Sequence, residues 1–236
     1  PGTRDPEKPL GPVHYLRTLI NSDGAGQNVP RHISETHEGL GMTPRALILA
    51  GGKSRRLGRD KAAETIGGSN LLLRTANLAA RHCSEIWVSG RDPRQQGVDL
   101  PWMADEVPGV GPMGGVITGL KRLGGPLLVL ACDMPLLGDQ EIAVLLRQRK
   151  QRPAQAIMTT YQQAETGFVE SLVAVYEPEA LPLLEQALER GDYKLANAVP
   201  PERRCCISYA QDHALPFFNI NYPADLALLS QFLLTA

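Results

Sequence analysis

From Arg45 onward, short apolar runs alternate with longer amphipathic ones. Ala46–Ala50 (ALILA), Glu85–Ser89 (EIWVS) and Leu127–Cys132 (LLVLAC) are runs of strand length, the first and third apolar throughout, as in strands covered on both faces. Ala156–Thr160, Leu172–Tyr176, Arg204–Tyr209 and Phe217–Ile220 read as four further strands. A first helix is predicted from an N-cap at Ser69 to about His82, with Leu72, Ala76, Leu78 and Ala79 near one face. Another ends near Arg122, and a third spans about Asp139–Arg152. Pro178–Arg190 has proline in its first turn and Gly191 as its stop, Leu195–Val199 is a further short helix, and a last amphipathic helix turns Leu226, Leu229 and Phe232–Leu233 inward. This alternation predicts an α/β fold, an open and mostly parallel sheet with helices on both faces.

Residues 1–43 break the pattern. They are rich in Pro, Gly, Asn, Asp and Glu, with one apolar patch at Val13–Ile20, too little to bury a core. We expect residues 44–236 to form the domain, 1–43 to be a flexible upstream extension, and residues 1–41 to be dispensable for activity. His14, His32 and His37 are scattered through it without a cysteine, a poor metal-ligand pattern.

Composition removes several partners. A formal net charge of −1 gives no global field toward nucleic acid or an anionic membrane, and aromatic residues make up only 5% of the chain, none interleaved with basic ones as a base-stacking surface would be. No apolar run approaches transmembrane length. The four cysteines, Cys83, Cys132, Cys205 and Cys206, form no C-x-x-C pair and read as reduced residues of a cytoplasmic protein.

The first strand leads into the densest chemistry. Gly51 and Gly52 follow it without a spacer, and Lys53, Arg55, Arg56, Arg59 and Lys61 come within nine residues. Paired glycines let a ligand reach the main-chain N–H groups, and the cations attract a polyphosphate. The spacing is neither a P-loop, since Arg59 stands where that motif needs lysine, nor a G-x-G-x-x-G dinucleotide fingerprint. The second strand ends at Ser89-Gly90-Arg91, on the same carboxyl edge of the sheet, and the Leu127–Cys132 strand ends at Asp133, a hard carboxylate of the kind Mg²⁺ prefers.

Leu49, Ala50, Gly51, Gly52, Ser54, Arg56, Leu57, Gly58, Asp60 and Lys61 fit L-A-G-G-x-S-x-R-[ML]-G-x-D-K, the signature of nucleotidyltransferases. Over roughly residues 44–236 the chain most closely resembles the molybdenum cofactor guanylyltransferases. Asp105, Gly111, Pro112, Met113 and Gly115 resemble that family's second loop, Cys132-Asp133-Met134-Pro135 its C-D-x-P motif, and Phe217 to Pro223 its F-x-N-[IV]-N-x-P pattern. The resemblance implies a three-layer α/β/α Rossmann-like nucleotidyltransferase fold, with GMP passing from GTP to the phosphate of molybdopterin. It implies Asp133 as the Mg²⁺ ligand and Arg56 and Lys61 as catalytic cations. Leu49, Ala50, Gly51, Gly52, Ser89 and Asp105 would bind the nucleotide with Lys61 and Asp133. Gly111, Asn219 and Asn221 would lie on the acceptor side, the two asparagines on one face of a strand. Cofactor-delivery proteins and molybdoenzyme chaperones are the implied protein partners. The similar cytidylyltransferases read L-A-A-G, so Gly51 favours a purine. Ser89 stands where most relatives have Asn, and Ser171 near where they have a proline preceded by His or Gln. A cytidylyltransferase, a transferase with another acceptor and a non-catalytic nucleotide-binding module remain alternatives.

Overall fold

The computed structural model describes residues 42–51, 61–66, 68–222, 224–226 and 229. A seven-stranded sheet runs through it in the order β5-β4-β1-β6-β8-β7-β9. Its strands are β1 (Arg45–Leu49), β4 (Ile86–Ser89), β5 (Trp102–Met103), β6 (Leu127–Ala131), β7 (Met158–Gln163), β8 (Val169–Tyr176) and β9 (Arg204–Tyr209). β1 is parallel to both β4 and β6, β4 to β5 and β7 to β9, whereas β8 runs antiparallel to β6 and β7. The sheet is therefore mostly parallel. A small hairpin, β2 (Thr65–Ile66) and β3 (Ser69–Asn70), turns at Gly68, whose φ is +84°.

Both faces of the sheet are covered because the central strands are apolar on both sides. On β1, Ala46 and Ile48 face a core with Leu72, Ala76 and Ala79 of α1 (Leu71–Ala80) and Ile142 and Leu145 of α3 (Asp139–Lys150). Leu47, one residue out of phase, packs on the other side with Val116, Ile117 and Leu120 of α2 (Pro112–Leu123), Leu184 of α4 (Leu181–Glu189) and Leu195 of α5 (Leu195–Ala198). This is the three-layer α/β/α arrangement expected. Fully burying one such leucine contributes about 1.5–3 kcal/mol. Gly119 of α2 lets the helix settle on β1, since a Cβ there would lie 2.7 Å from a Leu47 methyl group.

Several boundaries differ from the sequence reading. Asn70, not Ser69, caps α1, its side chain accepting a bond from Leu73 N at 2.8 Å, while Ser69 is held in the hairpin. The run Pro178–Arg190 is a 3-10 turn, Pro178–Ala180, followed by α4, and ends as expected at Gly191, φ +74°. β7 begins at Met158 rather than Ala156, and β8 reaches back to Val169. No strand forms over Phe217–Ile220: Leu215–Phe217 is a 3-10 turn with Pro216 inside it, and from Phe218 to Asn221 the chain joins no sheet. Asn219 and Asn221 therefore do not share the face of a strand. Leu229 is buried with Ile66, Leu71, Leu136 and Ile220 as expected, while Val13–Ile20, Phe232 and Leu233 lie outside the described residues.

Candidate active site

The connections leaving β1 and β6 run toward opposite edges of the sheet, β1 to β4 and β6 to β7, and a crevice outside the strand carboxyl ends at such a point is where open α/β sheets take ligands. A cavity of about 780 Å³ lies there. It is lined by Leu49, Ala50 and Gly51 after β1, Ser89, Gly90 and Arg91 after β4, Ala104 and Asp105 after β5, and Ala131, Cys132 and Asp133 after β6. Pro108, Gly109, Gly111, Pro112 and Gly115 close one side, and Leu172 of β8 adds to the wall.

Backbone bonds between strand ends fix this rim. Ala50 N donates to Ser89 O at 3.1 Å, Gly90 N to Met103 O at 3.0 Å, and Cys132 N to Leu49 O at 3.5 Å. The turns after β1 and β4 meet at two glycines. A Cβ on Gly51 would fall 3.0 Å from Gly90 Cα, so the residue that the sequence reading reserved for a purine also makes room for its neighbouring loop.

Ser89 and Asp105 form one unit. The Ser89 hydroxyl, buried in the wall, donates to Asp105 Oδ1 at 2.6 Å, orienting a half-buried carboxylate toward the cavity. Gly115, on the first turns of α2, makes space for that hydroxyl, because a Cβ there would sit 2.6 Å from Ser89 Oγ and 2.8 Å from a Leu49 methyl group. Gly111 is different. Its φ of +66° is the reason for glycine, since nothing lies within 4 Å of a Cβ built on it. It precedes Pro112 at the first position of α2, whose N-terminal end opens on the cavity.

Asp133 follows the fully buried strand β6 and lines the cavity half-buried, and its backbone oxygen accepts Ile220 N at 2.9 Å. That bond brings the segment carrying Asn219 and Asn221 beside the Asp133 turn, although neither asparagine lines the described cavity. Asn219 Oδ1 is buried without a hydrogen-bond partner among the described residues. The backbone N–H groups of Asn221 and Tyr222 both donate to Asp225, at 2.7 and 2.8 Å, a capping turn into the last helix.

Of the sequence candidates, Leu49, Ala50, Gly51, Ser89, Asp105, Gly111 and Asp133 are thus brought together around one cavity. Gly52 and Arg56 lie outside the described residues, as does the Lys61 side chain. The residue the sequence reading passed over is Arg91, although its position two beyond Ser89 on the ligand-facing edge was the available signal.

Residues 46–204 match the MobA-like NTP transferase domain. The chain belongs to that family. A probable molybdenum cofactor guanylyltransferase of Chloroflexus aggregans is 34% identical over 204 residues, covering 81% of this chain and 96% of the relative. One from Pyrococcus furiosus is 31% identical over 196 residues, covering 79% and 96%. A molybdenum cofactor biosynthesis bifunctional protein of Synechocystis is 32% identical over 183 residues, which span 76% of this chain and about half, 51%, of that longer protein. Among solved structures, molybdopterin-guanine dinucleotide biosynthesis protein A from Archaeoglobus fulgidus superposes with a TM-score of 0.66 at 23% identity, covering 81% of this chain and 100% of that one. A CMP:2-keto-3-deoxy-manno-octonic acid synthetase complexed with CTP gives 0.63 at 14% identity, covering 81% and 99%. Both show a shared fold. In this MobA-like domain no described helix is long and apolar enough to cross a membrane. All four cysteines are unbridged, Cys206 exposed on β9 and the others buried.

Proposed function

We propose that the chain transfers GMP from GTP to the phosphate of molybdopterin, releasing pyrophosphate and forming molybdopterin guanine dinucleotide. The observation that carries this reading is one cavity at the centre of the sheet with Asp133 at one side and the Ser89–Asp105 pair at the other. An acceptor phosphate oxygen attacks the α-phosphorus of GTP. The bond from that phosphorus to the bridging oxygen breaks, and pyrophosphate leaves with the electron pair. A phosphate nucleophile is ionised near neutral pH, so the protein's work is alignment and charge neutralisation rather than proton abstraction.

Asp133 would hold a divalent cation, Mg²⁺ in our reading. A single carboxylate in a phosphate-binding crevice suits that ion, which takes one or two carboxylates and completes its shell from phosphate and water. When bound, it would supply positive charge at the phosphate oxygens. Gly51 and Gly52 offer backbone N–H groups to the nucleotide, Arg56 and Lys61 neutralise the triphosphate and the departing pyrophosphate, and the Ser89–Asp105 pair faces the base. Gly111, Asn219 and Asn221 lie on the acceptor side. Proteins that deliver molybdopterin and collect the product are the expected partners, in the cytoplasm, where unbridged cysteines persist. Residues 1–41 have no part in this chemistry, so a chain beginning at Met42 is expected to bind GTP as well as the full chain.

The test is pyrophosphate release with Mg²⁺ and GTP, CTP, ATP or UTP singly, with and without molybdopterin. Release that requires both GTP and molybdopterin is expected. Release with CTP alone would leave the fold and phosphate chemistry standing but overturn the base assignment. No release from folded, GTP-binding protein would overturn the acceptor.

A further inference from the structure

Arg91 has no part in the chemistry derived above, yet it lines the cavity beside the Ser89–Asp105 unit. We propose that Arg91 is a specificity-determining residue that reads the base, its guanidinium donating to the O6 and N7 acceptors of guanine. The inference rests on the guanylyltransferase reading and deepens it.

Position comes first. β4 and β6 flank β1, so their ends stand two strand spacings apart, roughly 10 Å. With the α-phosphate gathered at Asp133 after β6, the end of β4 lies about one ribose and one base away. The backbone at Arg91 is also held. Gly90, with φ +90°, is pressed against Gly51, and its N–H is bonded to Met103 O at 3.0 Å.

The chemistry of the recess then points to guanine. Asp105 offers a carboxylate, an acceptor suited to the N1–H and 2-amino donors of that base, and Ser89 is already bonded to it. The remaining guanine edge carries only acceptors, O6 and N7, so it needs a donor, and the arginine fork matches both atoms at once. Adenine places an amino group where guanine has O6, and pyrimidines lack N7.

The experiment is calorimetric titration of GTP, 7-deaza-GTP (which lacks N7) and CTP, with Mg²⁺ and no acceptor, into the wild-type chain, R91A and R91K. Wild type is expected to prefer GTP over both other nucleotides. R91A should weaken GTP about 10- to 100-fold and erase the preference over 7-deaza-GTP, as loss of a bidentate base contact does. R91K keeps the charge and aliphatic stem but not the fork; it should recover only part of the preference, and it carries the test if R91A fails to fold. Equal weakening of all three nucleotides would assign Arg91 to the phosphates and overturn the proposal, as would an unchanged preference in both variants. A wild-type chain that binds GTP no better than CTP would instead overturn the guanylyltransferase reading beneath it.

Discussion

Gly51 and Gly90 meet backbone to backbone at the ends of neighbouring strands, with no room for a side chain on either: a Cβ on Gly90 would lie 2.5 Å from Gly51 Cα, and one on Gly51 3.0 Å from Gly90 Cα. The two positions are not equivalent. Gly90 has φ +90°, a backbone conformation that costs another residue about 1–3 kcal/mol. Gly51 has no such torsion, and its contact needs a shift of a few tenths of an ångström. Gly90→Ala is therefore expected to lower unfolding stability by about 2 kcal/mol or more, and Gly51→Ala by clearly less. Urea denaturation of both variants checks this, and a larger loss for Gly51→Ala would show that the contact yields elsewhere.

The same wall of the cavity depends on Gly115. Its missing Cβ leaves space for Ser89 Oγ, which orients Asp105. Ser89→Ala removes that hydrogen bond, and Gly115→Ala displaces the hydroxyl that makes it. Both are expected to raise KM for GTP by about 3- to 10-fold, the worth of a typical net hydrogen bond, with a smaller change in kcat. Steady-state kinetics decide; an equal fall in kcat for both variants, with KM unchanged, would move Asp105 away from the base.

The sequence was most readable where burial is continuous. β1 and β6 are apolar at nearly every position because helices cover both faces, and their carboxyl ends could be located from the residues that break the runs. Phe217–Ile220 misled because Phe217 and Ile220 are buried without belonging to a sheet: Pro216 holds a 3-10 turn, and Ile220 N finds its acceptor on Asp133. The N-cap was misplaced by one residue because Ser69 and Asn70 are both good caps, and the short β2–β3 pairing chooses between them. Arg91 was placed on the ligand-facing edge by its position two beyond Ser89, but without the strand order no role followed from that position. Only the order β5-β4-β1-β6 places it beside Asp105.

Asp133 offers a test of rate at the cavity. Its carboxylate lies in the cavity, whereas the bond to the following chain is made by its backbone oxygen, which a side-chain change leaves in place. Asp133→Asn is expected to reduce kcat at least about 100-fold, the scale of losing one major charge-stabilising group at a phosphoryl centre. The melting temperature should stay close to that of the parent chain. Ser54→Ala, in the glycine-rich loop, should cost far less. Comparable rates for the two variants would remove Asp133 from its assigned role.

Glu170 gives a pH dependence whose sign is fixed by burial. It is 6% exposed on β8, and Tyr209 Oη donates to its Oε1 at 2.5 Å, from a ring 4.6 Å from that of Phe217. Burial raises the carboxyl above its ordinary value of 4.5, and the Tyr209 bond, which favours the charged form, only partly opposes this. The folded chain thus holds this proton more tightly than the unfolded chain. Its contribution to stability is complete below 4.5, falls as pH rises from there through the raised folded value, and is level above it. Glu170→Gln keeps an acceptor for Tyr209 and carries no charge, so the stability of the variant relative to the parent should improve across that window and then stay constant toward neutral pH. Urea denaturation of both chains at intervals from about pH 4 to 7 reads the difference directly. A gap of constant size over the whole range would mean that the Glu170 carboxyl titrates alike in the folded and unfolded chains.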